Sequence, residues 1–316
     1  MKTKYPFHAV RVYLTEQCNA SCPSCFNRMN RTKSQMTKEK FELLCDYFSK
    51  LGIEHIKIMG GEPTIHEDFS ELIAIAQHYF KAVHIFTNGT APEQLNNVNF
   101  RENDSIIYNF LFASKYTDET IQINKSFSRS LEIIVNASTN VNLLLSNYIK
   151  LIEKYGNIFR PCLTLDCASN IFAEKKIIIP KLQEIEKYFM EHKIPFKYDH
   201  KVPYCFAYKT GLHFGNNGLC RIEDTVLIDA DYNLRFCNQF SNKILNIFEN
   251  EMIMPWSILE NYLAEVFYRN QLNALEKICS GCVFYNKSCN GGCFINSKMI
   301  SRQDIIMNTE LPLKSV

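Results

Sequence analysis

The 316-residue chain has almost no net charge, with 35 Lys+Arg against 33 Asp+Glu for a formal +2. Without a basic excess there is little general attraction for nucleic acid or an anionic membrane surface, and neither is expected as a partner. It also lacks an uncharged apolar run of ~18 residues, about the length needed to cross a bilayer. The opening MKTKYPFHAVRVYL brings lysines but only a short, interrupted apolar run and no small-residue cleavage site. A secretory signal is therefore not expected, and a cytoplasmic location is. Internal repeats and low-complexity tracts are missing as well. With 46% apolar and 22% charged residues, the composition excludes a disordered or collagen-like chain. At ~100–200 residues per domain the length allows one large domain or two smaller ones.

What the chain has in excess is cysteine, 13 residues. That is more than common usage and less than the ~8–10% of a disulfide scaffold. In a cytosolic chain such thiols serve as metal ligands or core residues more often than as disulfides. Cys18, Cys22 and Cys25 form one knot, and Cys279, Cys282, Cys289 and Cys293 another. Cys220 and Cys237 lie upstream of the second knot. Cys45, Cys162, Cys167 and Cys205 stand alone.

From residue 8 to about 200, short β-branched runs alternate with amphipathic helical patterns. A first strand at 10–14 ends at the first knot. Thr37 reads as a helix N-cap, Phe41, Leu44, Cys45, Phe48 and Leu51 share one helical face, and Gly52 stops the helix. Strands at 55–59 and 83–87 and apolar runs at 105–113, 131–136 and 162–167 follow. Helices at 68–80, 142–155 and 180–192 separate them, and a strand at 195–199 closes the series. Such alternation implies βαβ units and a parallel sheet, an α/β fold. About six units fit before residue 200, too few for a full eight-stranded barrel, so the expected architecture is a partial (β/α)6 barrel of TIM type. Chemistry in such folds sits at the C-terminal ends of strands. The first knot, Gly60-Gly61-Glu62-Pro63 and Thr87-Asn88-Gly89 each follow a strand end, which brings three polar or glycine-rich segments to one rim.

Beyond residue 200 the pattern changes. Residues 229–233 read as a hairpin turn between strands at 225–228 and 234–236, and a long helix at 257–277 leads into the second knot. The expected division is a barrel over 1–200, a small metal-bearing domain over 201–300 and a tail over 301–316.

Cys18-x3-Cys22-x2-Cys25 puts three thiolates on one short loop. A four-iron, four-sulfide cluster normally takes four cysteines, so three leave one iron open to a small chelating molecule. A structural zinc would want a fourth ligand, which His8 or His66 could supply in principle. Spacing alone does not choose between them.

The knot after a first strand, joined to Gly60-Gly61-Glu62-Pro63 after the second, resembles the radical S-adenosylmethionine (SAM) superfamily, and the resemblance extends over about residues 8–295. It implies a 4Fe-4S cluster on Cys18, Cys22 and Cys25, with SAM chelating the open iron through its amino and carboxylate groups. The Gly60–Pro63 segment would help hold the amino group, its glycines letting backbone approach the ligand and Glu62 adding a charge-assisted contact. Asn88 joins the cofactor-binding set from the next strand end, and Asn109, in the fourth strand, is the candidate ribose contact. The superfamily usually places an aromatic residue just before the third cysteine; Ser24 stands there, and Phe26, after it, is the candidate adenine contact.

Cys279-x2-Cys282-x6-Cys289-x3-Cys293, with Cys220 and Cys237, looks like the SPASM or twitch extension of that superfamily, which carries auxiliary iron–sulfur clusters. Tyr232 stands where the extension usually has a glycine five residues before its second cysteine, and no seventh cysteine follows Cys293. One auxiliary cluster on Cys220, Cys237, Cys279 and Cys282 is one arrangement. Two clusters are the other, on Cys220, Cys237 and Cys293 and on Cys279, Cys282 and Cys289, with Cys205 able to complete the first. A zinc ribbon is the alternative.

Cys45 belongs on an apolar helix face. Cys162 and Cys167 point to opposite sides of their strand, and Asp166, with the parity of Cys162, is the candidate interior acid or base. The resemblance implies reductive cleavage of SAM to a 5′-deoxyadenosyl radical, fed by a flavodoxin- or ferredoxin-type electron donor. Most SPASM and twitch relatives modify peptides or proteins, so the expected substrate is a ribosomally made peptide or protein side chain, crosslinked, epimerised or oxidised. A built-in leader-binding domain would need ~80 residues ahead of the first knot, more than the 17 present. Recognition would fall to the catalytic domain or a separate leader-binding protein. A twitch-type dehydrogenase of small alcohols or sugars and a zinc-stapled binding protein without turnover are the other readings.

Overall fold

A computed structural model of the chain describes residues 8–25, 32–122, 126–166, 173–199, 206, 210–213, 225–235, 243, 245–249 and 251–262. Seven parallel strands follow one another in chain order: β1 (Ala9–Thr15), β2 (His55–Gly60), β3 (Ala82–Thr87), β4 (Ser105–Asn109), β5 (Ser128–Val135), β6 (Arg160–Leu165) and β7 (Lys197–Tyr198). The connections carry α1 (Lys38–Lys50), α2 (Phe69–Tyr79), α3 (Pro92–Asn96), α4 (Asp118–Ile121), α5 (Val141–Tyr155) and α6 (Lys175–Glu191). The expected partial barrel forms as six strand–helix units and a closing strand. Beyond residue 200, β8 (Thr225–Ile228) lies parallel to β1 on its free side. The antiparallel β9 (Asn233–Arg235) and β10 (Leu245–Asn246) extend the same sheet, which runs β10-β9-β8-β1-β2-β3-β4-β5-β6-β7. A last described helix, α7, spans Trp256–Tyr262.

The strands alternate because their two faces meet different surroundings. Val10, Val12, Ile56, Ile58, Val83 and Ile85 join the helices in one core, with Phe41, Leu44, Cys45 and Phe48 of α1 buried at helical spacing. Burying a side chain of this kind contributes about 1.5–3 kcal/mol, which drives each helix onto the sheet. The opposite face carries Arg11, Lys57, His84 and Glu132 at intervening positions, all half-buried. Tyr13, Met59 and Leu227 form a separate small apolar cluster there.

Local signals set most boundaries. The Thr37 hydroxyl accepts the Lys40 N–H and opens α1, and its end is closed by Gly52 N–H to Ser49 O and Ile53 N–H to Phe48 O. Two boundaries differ from the sequence pattern. The run at 105–113 divides at Asn109, whose side chain accepts the Leu111 N–H and starts a 3-10 helix over Phe110–Lys115. The helix expected from residue 180 begins at Lys175, with Pro180 inside it. Ile178 is fully buried and stands one turn before Leu182 on the packed face, and its burial offsets the hydrogen bond that proline removes.

One interior pair makes stability depend on pH. His55 Nδ1 and His84 Nε2 lie 3.0 Å apart with their rings stacked, and Ser105 Oγ is 2.7 Å from His84 Nδ1. Burial, then the neighbouring His55 and Lys57, lowers the His84 imidazole to about 4. The unfolded chain takes up this proton near the usual ~6.5, so stability is lost as pH falls from there towards 4. After discounting for partial exposure the loss is about 2 kcal/mol. Thermal unfolding between pH 7 and 4.5 is expected to fall more steeply for the wild type than for His84→Gln.

Candidate functional site

The site is assembled where β1, β2 and β3 end. After Thr15 the chain runs through Glu16 and Gln17 into Cys18, and the β1–β2 register slips between Tyr13 and Thr15 so that Thr15 faces Gly60. Gly60 has φ +147°, and a Cβ on Gly61 would stand 1.8 Å from the Gln17 carbonyl oxygen. This close approach allows Gly61 N–H to donate to Thr15 O at 2.7 Å and Glu62 N–H to Gln17 O at 2.8 Å. The two glycines thus admit the backbone that leads into the cysteine loop.

Glu62 is buried and binds the next strand end. Its Oε1 accepts from Thr64 N–H, Thr64 Oγ1 and Thr87 Oγ1, and its Oε2 accepts the Asn88 N–H at 2.7 Å. Burial pushes the carboxyl up, while the bonds from Asn88, Thr64 and Thr87 favour its charged form. Pro63 opens the short 3-10 turn Pro63–Ile65, for which Glu62 is the N-cap. From Asn88 the network returns to the cysteine loop, with Nδ2 donating to Asn19 Oδ1 and Asn19 Nδ2 to Thr90 Oγ1, both at 2.8 Å. The knot, the GGEP segment and the Asn88 segment therefore meet on one rim, as the strand ends suggested. Asn19 and Thr90, which complete the chain, carried no motif of their own; their positions beside Cys18 and Asn88 were the only signal.

Cys18, Cys22 and Cys25 are half-buried on a loop turned by Cys25 N–H to Cys22 O at 3.2 Å. Among the described residues, no three Cys, His, Asp or Glu side chains converge as ligands of a single ion. Neither histidine completes a zinc site. His66 is buried with Nε2 2.9 Å from Met36 O, while its Nδ1 accepts the Asp68 N–H. His8 precedes β1, at the opposite end of that strand from Cys18. Three thiols on one loop, with neither His8 nor His66 placed beside them, are the donor set that a four-iron cluster with one open iron would take.

Asn109 ends β4 with Oδ1 committed to the Leu111 N–H. Asp166 follows β6, buried, with Oδ2 accepting from Asn136 Nδ2 at 3.0 Å. Cys162 is buried and its thiol is pushed up to about 12, chiefly by burial and then by Asp199. Cys45 is buried in the core, and burial raises its thiol as well. A cleft of about 400 Å³ opens between Asn19–Cys22 and the turn carrying Leu111, Phe112 and Lys115. Phe26, Cys167, Cys205, Cys220, Cys237, Cys279, Cys282, Cys289 and Cys293 lie outside the described residues.

Residues 12–140 match the family model for the Radical SAM superfamily. The radical SAM match thus covers the segment that holds the cysteine loop, the GGEP turn and Asn88. Over 92 residues it is 35% identical to a probable GTP 3′,8-cyclase of Thermococcus kodakarensis, covering 28% of this chain and 30% of that one. The chain spans about a third or less of the length of the curated relatives it matches. Among solved structures, anSMEcpe with bound AdoMet shares the fold of this chain at a TM-score of 0.63, with 16% identity over 93% of this chain and 92% of that one. Streptococcus suis SuiB bound to its precursor peptide SuiA gives 0.58, with 15% identity over 92% and 70%. No described helix is long and apolar enough to cross a membrane.

Proposed function

We propose that the chain is an enzyme that binds SAM on a 4Fe-4S cluster held by Cys18, Cys22 and Cys25 and abstracts hydrogen from a peptide or protein side chain. The observation that carries this reading is the three-thiol loop bonded into the GGEP rim, with His66 committed to Met36 O and Asp68 N–H. When bound, the cluster supplies one electron, delivered by a flavodoxin- or ferredoxin-type donor, that splits SAM into methionine and a 5′-deoxyadenosyl radical.

The chain's own residues orient and shield. Gly60, Gly61 and Pro63 shape the backbone against which the methionine end lies, and Glu62 holds that backbone to Asn88. The Asn109 amide is the donor to a ribose hydroxyl. Phe112, facing Cys22 across the cleft, offers the adenine an apolar surface that Ser24 does not. Asp166, oriented by Asn136, exchanges a proton with substrate at the rim.

Two solved neighbours favour a peptide substrate, anSMEcpe with AdoMet and the Cp18Cys peptide, and SuiB with SuiA. The GTP 3′,8-cyclase relatives favour a nucleotide, but through less than a third of the chain. Residues 201–300 are proposed as a SPASM- or twitch-type lobe with one or two auxiliary iron–sulfur clusters.

Anaerobic reconstitution followed by iron and sulfide counts tests the cofactors, and product analysis with peptides encoded beside the gene tests the substrate. The Cys279→Ala, Cys282→Ala double variant is expected to keep uncoupled 5′-deoxyadenosine formation and lose product. Undiminished product would remove the auxiliary lobe from the reaction; turnover of GTP in place of peptide would overturn the substrate.

A further inference from the structure

The Cys18–Cys25 loop is closed at its base by its own backbone. Glu16 N–H donates to Ser34 O at 3.0 Å, and Met36 N–H to Leu14 O at 2.8 Å. A second element grips both feet of that loop. Arg235 of β9 donates from Nη2 to Glu16 Oε1 at 3.3 Å and from Nε to Asp229 Oδ2 at 2.9 Å, all three side chains being 3% exposed or less. At the other foot the Tyr232 hydroxyl accepts the Thr37 N–H at 2.7 Å. Lys40 Nζ lies 4.8 Å from the centre of the Tyr232 ring, whose edge meets Phe248.

We propose that the β8–β9 hairpin is a clamp that sets the shape of the cysteine loop, with Glu16, Arg235 and Tyr232 as its positioning residues. Three features separate this from ordinary packing. Tyr232 has φ 65°, a left-handed conformation that is costly for a bulky residue and persists where the surroundings over-determine it. Its hydroxyl and ring make the contacts that hold it there, at the position where the superfamily extension usually has glycine. Second, a buried ion network contributes little stability over an apolar replacement of the same shape; its use is to specify one arrangement. Third, Glu16 stands two residues before Cys18 and Arg235 two before Cys237, so a single bridge joins segments 219 residues apart. Order in the chain leading to Cys237 is thereby imposed on the loop holding the first three thiols. The proposal rests on reading that loop as the SAM cluster site.

Two measurements on the full chain test it. Hydrogen exchange on the metal-free protein is independent of any cofactor. In Tyr232→Phe, which keeps the ring and removes the acceptor, and in Glu16→Gln, the amides of Glu16, Met36 and Thr37 are expected to exchange about tenfold faster, the scale of one weakened buried hydrogen bond. Unchanged exchange at these amides in both variants overturns the clamp. With reconstituted protein, the same variants are expected to raise the KM for SAM about tenfold and alter the SAM-induced electron paramagnetic resonance signal of the reduced cluster. Arg235→Lys should retain more of both than Arg235→Met. Should Arg235→Met fail to fold, the other two variants carry the test. Cys18→Ala is the control: wild-type SAM cleavage in that variant would count against the cluster reading and leave the exchange result to judge the clamp.

Discussion

Replacing Cys18, Cys22 and Cys25 together by alanine is expected to bring 5′-deoxyadenosine formation to background while leaving the fold intact. All three side chains are half-buried on a loop, and none belongs to the core that joins sheet and helices. Their loss should therefore cost little stability, within about 0.5 kcal/mol per site. The thiolates are the only cluster ligands the loop offers, so the rate of SAM cleavage should fall by about a thousandfold or more, a modest share of what enzymes supply. The check pairs iron content and 5′-deoxyadenosine yield with a thermal unfolding curve. Cleavage at the wild-type rate by a folded triple variant would end the cluster reading.

Among the described glycines, Gly61→Ala should produce the largest effect of one added methyl group. Its Cβ would stand 1.8 Å from the Gln17 carbonyl and 2.7 Å from that of Glu16, both backbone atoms without a flexible end to yield. Relieving the clash must part the end of β2 from the segment entering the cysteine loop, which breaks Gly61 N–H to Thr15 O and Glu62 N–H to Gln17 O. The cost is about 3 kcal/mol, at the upper end of overpacking, which lowers the unfolding midpoint by roughly 4–5 °C in a chain of this length. SAM cleavage should fall by about a hundredfold, because a shift of about 1 Å at a reactive centre is enough for that. Gly156→Ala is the control. Nothing lies within 4 Å of a Cβ there, though its φ of +72° strains a side chain, a strain that Gly61→Ala does not meet. Equal losses of SAM cleavage in both variants would mean that general destabilisation, and not the contact with Gln17, explains the result.

The site was legible wherever the chemistry is local. A run of alternating β-branched residues that ends in cysteines, and another that ends in Gly60-Gly61-Glu62-Pro63, sufficed to place both segments at strand ends. Thr37 and Gly52 marked the limits of α1 because capping is a matter of a few neighbouring residues. The same locality explains what was misjudged. The pattern puts the helix start at residue 180; that Ile178 must be buried one turn earlier is a fact about the sheet beneath it. Neighbouring residues also do not reveal the partners of the Glu62 carboxylate, which include Thr87 at the end of β3 and Asn88 just beyond it.

Order along the chain was enough to specify a parallel α/β barrel with a three-thiol loop on its rim, since periodicity and spacing are properties of consecutive residues. Which groups hold that loop in place was settled only by folding. Asn19 meets Asn88 across 69 residues and Glu16 meets Arg235 across 219, and no pattern of neighbours encodes such a meeting. The first arises because β3 lies one strand beyond β2 from β1, the second because β8 returns to lie beside β1, and both follow from how the sheet pairs rather than from any motif.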